Sequence, residues 1–150
     1  MFTPANVPLR GDRFHLLDPV IPVIGADLTG ADFKLQVRDR KDGGALRADL
    51  GTVATAAAEG VRLISVTTSS VADHLAAGRL VAVPAGMTLA DVVTVSLIGI
   101  RVNKSTMEAM PYPPERGADH TIFWGLRVTV DGTPRLWLRG PFTIEAGAVE

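Results

Sequence analysis

The sequence predicts an all-β chain, a single mainly antiparallel β-sandwich of about seven to nine strands with one short helix. Three observations carry that expectation. Residues 32–38 and 121–130 alternate apolar and polar side chains with period two, as a strand with one buried face requires. Turn residues recur roughly every ten positions, the spacing of short strands joined by tight turns. Ten prolines and fifteen glycines are spread over the 150 residues rather than gathered in one linker, so they punctuate elements instead of separating domains.

Residues 1–8 hold Pro4 and Pro8 and show no periodicity. They read as an extended arm, mobile by itself in water, ahead of one domain over residues 9–150. Residues 14–24 are apolar but contain Pro19 and Pro22. Proline has no N–H for a sheet ladder, which confines this segment to an edge or kinked strand. Asp27, Thr29 and Gly30 mark a turn. Phe33, Leu35 and Val37 then face one way and Lys34, Gln36 and Arg38 the other. Asp42-Gly43-Gly44 turns the chain into a paired strand over residues 45–50.

Residues 52–59 are Ala-rich and fit a weak helix or a loop equally. Val61, Leu63, Ile64 and Val66 make residues 60–67 a strand. The short helix falls within residues 69–78, with Ser70 as its cap, Asp73 three residues on, and Gly78 just past its end. Residues 79–83 read as a short strand ended by Pro84. Residues 92–102 are rich in Val and Ile on both faces and suit a central strand. Residues 103–120, with Pro111, Pro113, Pro114 and Gly117, form the longest irregular stretch; connections of that length are usually functional or held by a partner. Ile122, Trp124, Leu126, Val128 and Val130 share one face of the next strand. Asp131-Gly132-Thr133-Pro134 turns it into a returning strand at residues 135–139, and residues 142–145 close the fold.

Fifteen basic residues against sixteen acidic ones give a net charge of −1, which weighs against nucleic acid or an anionic membrane as the main partner. The absence of cysteine excludes disulfides, thiolate zinc sites and cysteine nucleophiles. Mean hydropathy is +0.24, yet no apolar run reaches membrane-spanning length. The first residues lack a signal-peptide pattern, so synthesis in the cytoplasm without secretion is expected. There is no phosphate-binding loop, no G-x-G-x-x-G and no G-x-S-x-G. His15, His74 and His120 lie far apart and read as surface or rim residues. Ser70, Asp73 and His74 are the residue types of a catalytic triad, but within one helical turn they cannot line up, and a helix cap explains them. Asp39, Asp42 and Asp49 surround a hairpin and could be read as a glycosidase pair, although Asp42 before two glycines is what a turn demands. Arg10-Gly11-Asp12 spells an adhesion tripeptide but reads as a turn at the start of a strand. Asn103-Lys104-Ser105 fits a glycosylation pattern, which has no consequence without secretion. No catalytic residue, cofactor or metal ligand is therefore expected.

The candidate site is an interface. Phe123 is out of phase with Ile122 and Trp124, and Trp137 sits between Leu136 and Leu138, so both aromatics fall on outer strand faces. Arg38, Arg40, Arg62, Arg127, Arg135 and Arg139 lie on polar faces that serve a partner subunit, a glycan, or only solvent. Met107, Met110 and Tyr112 stand among prolines outside any periodic element. They suit an adaptable contact surface, and equally a lid folded over one end of the domain.

Several segments in order resemble a known family. They are Leu9-Arg10-Gly11-Asp12, then Ala26-Asp27-Leu28-Thr29-Gly30-Ala31 leading into Phe33-Lys34-Leu35-Gln36-Val37-Arg38. Near the end come Phe123-Trp124-Gly125-Leu126-Arg127-Val128, Gly132, and Leu138-Arg139-Gly140-Pro141-Phe142-Thr143-Ile144. Together they resemble the N-terminal domain of phage baseplate upper proteins, a family also found in tail-fibre and prophage virion proteins. Gly125 stands where that family usually has an acidic residue, and the segment 103–117 is longer than its pattern. The resemblance implies an immunoglobulin-like β-sandwich, a non-catalytic adaptor in the baseplate, tail-fibre or head-fibre attachment zone of a virion. It implies other virion proteins as partners and a homo-oligomer, commonly a trimer. A free-standing carbohydrate-binding module using Trp137 and Phe123 is the alternative.

Overall fold

In chain order the elements are β1 (Ala5–Asn6), β2 (Leu9–Asp12), β3 (Val20–Ile24), β4 (Asp32–Arg38), β5 (Leu46–Gly51), β6 (Gly60–Ser70), α1 (Val71–Ala76), β7 (Val92–Arg101), α2 (Lys104–Glu108), β8 (His120–Val130) and β9 (Thr133–Glu145). They come from a computed structural model that describes residues 5–12, 16–40, 44–110 and 120–145. The fold is all-β, as the alternation requires. Strands β1, β9, β8, β4 and β5 lie side by side in the larger sheet, with β2 also on β9; β3, β7 and β6 form the smaller one.

Strands β4 and β8 bury the face that their sequences mark. Phe33, Leu35 and Val37 of β4 point inward, as do Ile122, Trp124, Leu126 and Val128 of β8. They meet Ile21 and Val23 of β3, Val61 of β6, and Ile98 and Ile100 of β7 in one core shared by both sheets. The segment Ala26–Ala31 crosses from the small sheet to the large one, and hydrogen bonds pin it there. Asp27 Oδ1 accepts from the Thr29 N–H at 2.9 Å and from its hydroxyl at 2.6 Å. Those bonds hold the Asp27 carboxyl below its ordinary range. The buried Ser96 hydroxyl donates to the Ala26 carbonyl at 2.6 Å and accepts the Leu28 N–H at 3.2 Å. The sheets also touch at one corner, where Thr52 bridges Val61. Gly60 makes that corner feasible: its φ is 149°, and a Cβ there would stand 2.5 Å from the Gly51 carbonyl oxygen.

Several expectations hold in detail. Ser70 caps α1, its hydroxyl accepting the Asp73 N–H at 3.1 Å. Strand β7 is central in its sheet, and proline-bearing β3 is an edge. Asp131 and Gly132 both take positive φ, 52° and 77°, as the tight hairpin turn between β8 and β9 requires.

Others are corrected. The large sheet is mixed, because β1 and β2 run parallel to β9. Residues 5–6 of the expected arm are thus a sheet strand, and the Trp124 indole N–H donates to the Val7 carbonyl at 2.8 Å. Arg10-Gly11-Asp12 is strand, not turn. The returning and closing strands are one long strand, β9. Of the two readings open for residues 52–59, the loop is the one found, apart from the Thr52 bridge. Residues 79–83 are not a strand: beyond Gly78 the chain folds back, and Leu80 packs with Val71, Val93 and Val95 in a small second core under α1.

A second helix, α2, interrupts the long irregular stretch. Glu59 supports its start, accepting from the Asn103 N–H at 2.7 Å and the Thr106 hydroxyl at 2.6 Å. His74 is fully buried rather than at a rim. A carbonyl only accepts and a guanidinium only donates, so its bonds to the Val93 carbonyl and Arg79 Nε, both 2.8 Å, place its proton on Nε2. His120 is half-buried at the start of β8, and His15 lies outside the described residues. No helix among the described residues is long and apolar enough to cross a membrane.

Candidate functional site

The outer face of the large sheet follows from pairing. Gly125 of β8 lies opposite Gln36 on β4 and Arg139 on β9. Two residues along β8 in one direction, Phe123 lies between Arg38 and Pro141. Two residues in the other, Arg127 lies between Lys34 and Trp137. The nine positions form a grid about 13 Å long and about 10 Å wide. Its centre has no side chain. A Cβ at Gly125 would meet only the Leu138 carbonyl oxygen at 3.9 Å, so the middle of the face is an open depression.

Four of the nine positions are cationic and none is acidic. Lys34 and Arg127 face each other directly across the strand pair. Like charges placed so destabilise a sheet. Part of this is offset at the rim, where Lys34 reaches Asp49 of β5 at 3.1 Å. Arg38 donates to the Gly44 carbonyl at 3.4 Å and to Gln36 Oε1 at 3.2 Å, which holds its guanidinium over the sheet. Further out, Arg47 grips Asp39 with two bonds of 2.6 and 2.8 Å, and this keeps the Asp39 carboxyl below its ordinary range. Asp39 and Asp49 are thus both engaged by cations, while Asp42 lies outside the described residues.

The expected interface residues separate into two groups. Phe123 is half-buried on the outer face. The Trp137 position shares that face, opposite Arg127, but its side chain lies outside the described residues. The two aromatics are not neighbours, for Gly125 and Arg139 stand between their rows. Met107 and Met110 are core residues, 0% and 2% exposed. Helix α2 carries Met107 under β2, where its methyl would stand 3.1 Å from a Cβ on Gly11. As placed, these methionines close the core and present no surface, and Tyr112 lies outside the described residues.

Two features escaped the sequence reading. Alternation puts Gln36 and Gly125 on outer strand faces, but that they lie side by side follows only from register, which no local pattern encodes. The second is a row on β3, where Val20 and Ile24 remain 54% and 41% exposed beside Pro22 while Ile21 and Val23 turn inward. No alternation marks it, because residues 20–24 are apolar throughout and do not say which face turns inward. Among the described residues there is no group of three or more His, Asp or Glu side chains placed to hold a metal ion. Comparison with models of known protein families gives no match, and comparison with curated proteins gives none.

Proposed function

We propose that the protein is a non-catalytic structural component of a tailed-phage or prophage virion, an immunoglobulin-like β-sandwich working as an adaptor where a baseplate, tail fibre or head fibre attaches. One observation carries this reading. The segments that resemble the baseplate upper protein family are scattered over the sequence, yet they lie side by side in one sheet. Leu9–Asp12 pairs with Phe142–Glu145 of β9, β9 pairs with β8, and β8 pairs with the strand that follows the Ala26–Ala31 turn. A set of short matches with no common origin has no reason to be contiguous.

The adaptor works as a homo-oligomer, such as a trimer, among other virion proteins. The exposed row of Val20, Pro22 and Ile24 on the outer face of β3 supports such an assembly, since an apolar row left on a surface gains when another chain covers it. The test combines light scattering on the purified chain with mass spectrometry of virions from the host that encodes it. The expected result is an oligomer in solution and the chain in tail-bearing particles. A monomer absent from such particles would overturn the reading in favour of a free-standing carbohydrate-binding module.

A further inference from the structure

A row of unpaired N–H and C=O groups at the edge of a sheet is a template for another chain, and proteins ordinarily blunt such edges. Three of the four edges here are blunted. Strands β1 and β2 have two and four residues, with Pro8 between them. Strand β5 is six residues long and carries Arg47 at a break in register, with Asp49 beyond it. Strand β3 has five residues and bonds to β7 through Pro19 and Gly25. By alternation Pro22 turns the place of its missing N–H outward, where an added strand would need a donor.

The fourth edge, β6, is left open. It is 11 residues long. Its start is occupied, for Val61 bridges Thr52 and its carbonyl accepts the Val53 N–H at 2.9 Å. Ile64 then stands unpaired at a bulge. Beyond it, residues 65–70 run beside β7 with no proline and no charge. No other strand among the described residues pairs with their outer side. Strand β7 turns the backbone groups of Thr94 and Ile100 to β3, so Val93, Val95 and Leu97 turn theirs to β6. Ser69, Thr67 and Ser65 lie opposite those three. The N–H and C=O groups of Val66 and Thr68 therefore point outward.

The occupant follows from the side chains. An uncharged edge selects no charged partner, and hydroxyl-bearing residues paired across strands stabilise each other. The run Ser65-Val66-Thr67-Thr68-Ser69 matches itself when reversed about Thr67. Thr67 then meets Thr67 of a second copy, Ser65 meets Ser69, and Val66 exchanges backbone bonds with Thr68. Arg62 falls beyond the paired stretch, so the one charge of the strand does not meet its twin.

We propose that β6 pairs antiparallel with β6 of a second copy about a two-fold axis at Thr67, joining two three-stranded sheets into one. The pairing does not depend on the adaptor reading, and β3, on the opposite edge of its sheet, stays available for further assembly.

The test is analytical ultracentrifugation of the full-length chain. A short ribbon lies at the small end of interface sizes, so the dimer should form at about 200 μM and dissociate by about 1 μM. Thr68→Pro removes an outward N–H and no backbone bond to β7, and should leave a folded monomer at both concentrations. Thr67→Lys sets two ammonium groups face to face and should weaken the dimer about fivefold. Mixing it with Thr67→Glu should restore pairing, since each lysine then faces a carboxylate. If Thr68→Pro fails to fold, the charge pair decides alone. A parent chain monomeric at the higher concentration, an oligomer indifferent to Thr68→Pro, or a Lys–Glu mixture no tighter than Thr67→Lys alone each overturns the proposal. An indifferent oligomer present in virions leaves the adaptor reading standing, whereas a β6 dimer absent from them removes that reading alone.

Discussion

Ser96 shows how one residue holds the crossing between the sheets. It is fully buried, and its hydroxyl serves two backbone groups of the Ala26–Ala31 turn at once. Removing a hydroxyl that satisfies buried backbone atoms costs their desolvation, about 1–3 kcal/mol for each group left without a partner. Ser96→Ala should therefore lower stability by about 2–4 kcal/mol in urea unfolding, with the slope unchanged. A cost below about 0.5 kcal/mol would mean that the turn is held by the Asp27–Thr29 bonds alone. The turn itself was legible, because Asp, Thr and Gly act on near neighbours. Its anchor was not, since Ser96 is 70 residues from Ala26 and a serine amid Val and Ile gives no sign of its partner.

At the scale of elements, the N-terminal strands differ most from a reading in sequence order. Residues 1–8 look like a loose arm, yet β1 extends the large sheet and the Val7 carbonyl accepts the Trp124 indole N–H. Trp124 lies 117 residues away and is 3% exposed, so an unpaired N–H there would be costly. Deleting residues 1–8 is expected to lower the melting midpoint by several degrees rather than leave the fold untouched, and Trp124→Phe should make the deletion milder by removing the orphaned donor. Equal effects of the deletion in both backgrounds would show that this bond contributes nothing. The same scale decides the methionines. Apolar residues among prolines fit a lid as well as a contact loop, and burial of Met107 under Gly11 favours the lid.

For the whole molecule, acid is the informative perturbation. Asp27 and Asp39 are both held below their ordinary value of 3.8, the first by its Thr29 bonds and the second by Arg47. A carboxyl whose folded value is depressed stabilises the fold above its unfolded value, and that contribution disappears as pH falls through the folded one. The melting midpoint should accordingly drop as pH goes below about 4, and less steeply in Asp39→Asn than in the parent. Parallel acid curves for the two proteins would place the lost stability elsewhere. Asp27 is exposed and Asp39 only half-buried, so the difference should be small and smaller still in high salt.

What the sequence by itself determined is whatever depends on neighbours within a few positions. The inward faces of β4 and β8, the positive-φ turn at Asp131 and Gly132, the Ser70 cap and the edge placement of proline-bearing β3 all rest on local sterics and period-two alternation. Tertiary structure alone decided which strands lie together and in what register. Alternation is satisfied equally by any register shifted by two residues, so it cannot say that Gly125 meets Gln36 and Arg139, or that Ala5 runs parallel beside Leu138. The cationic face, the buried His74 and the covered methionines are consequences of those long-range pairings. They became visible only when distant segments were brought within bonding distance, because only then do charge, burial and shape act between them.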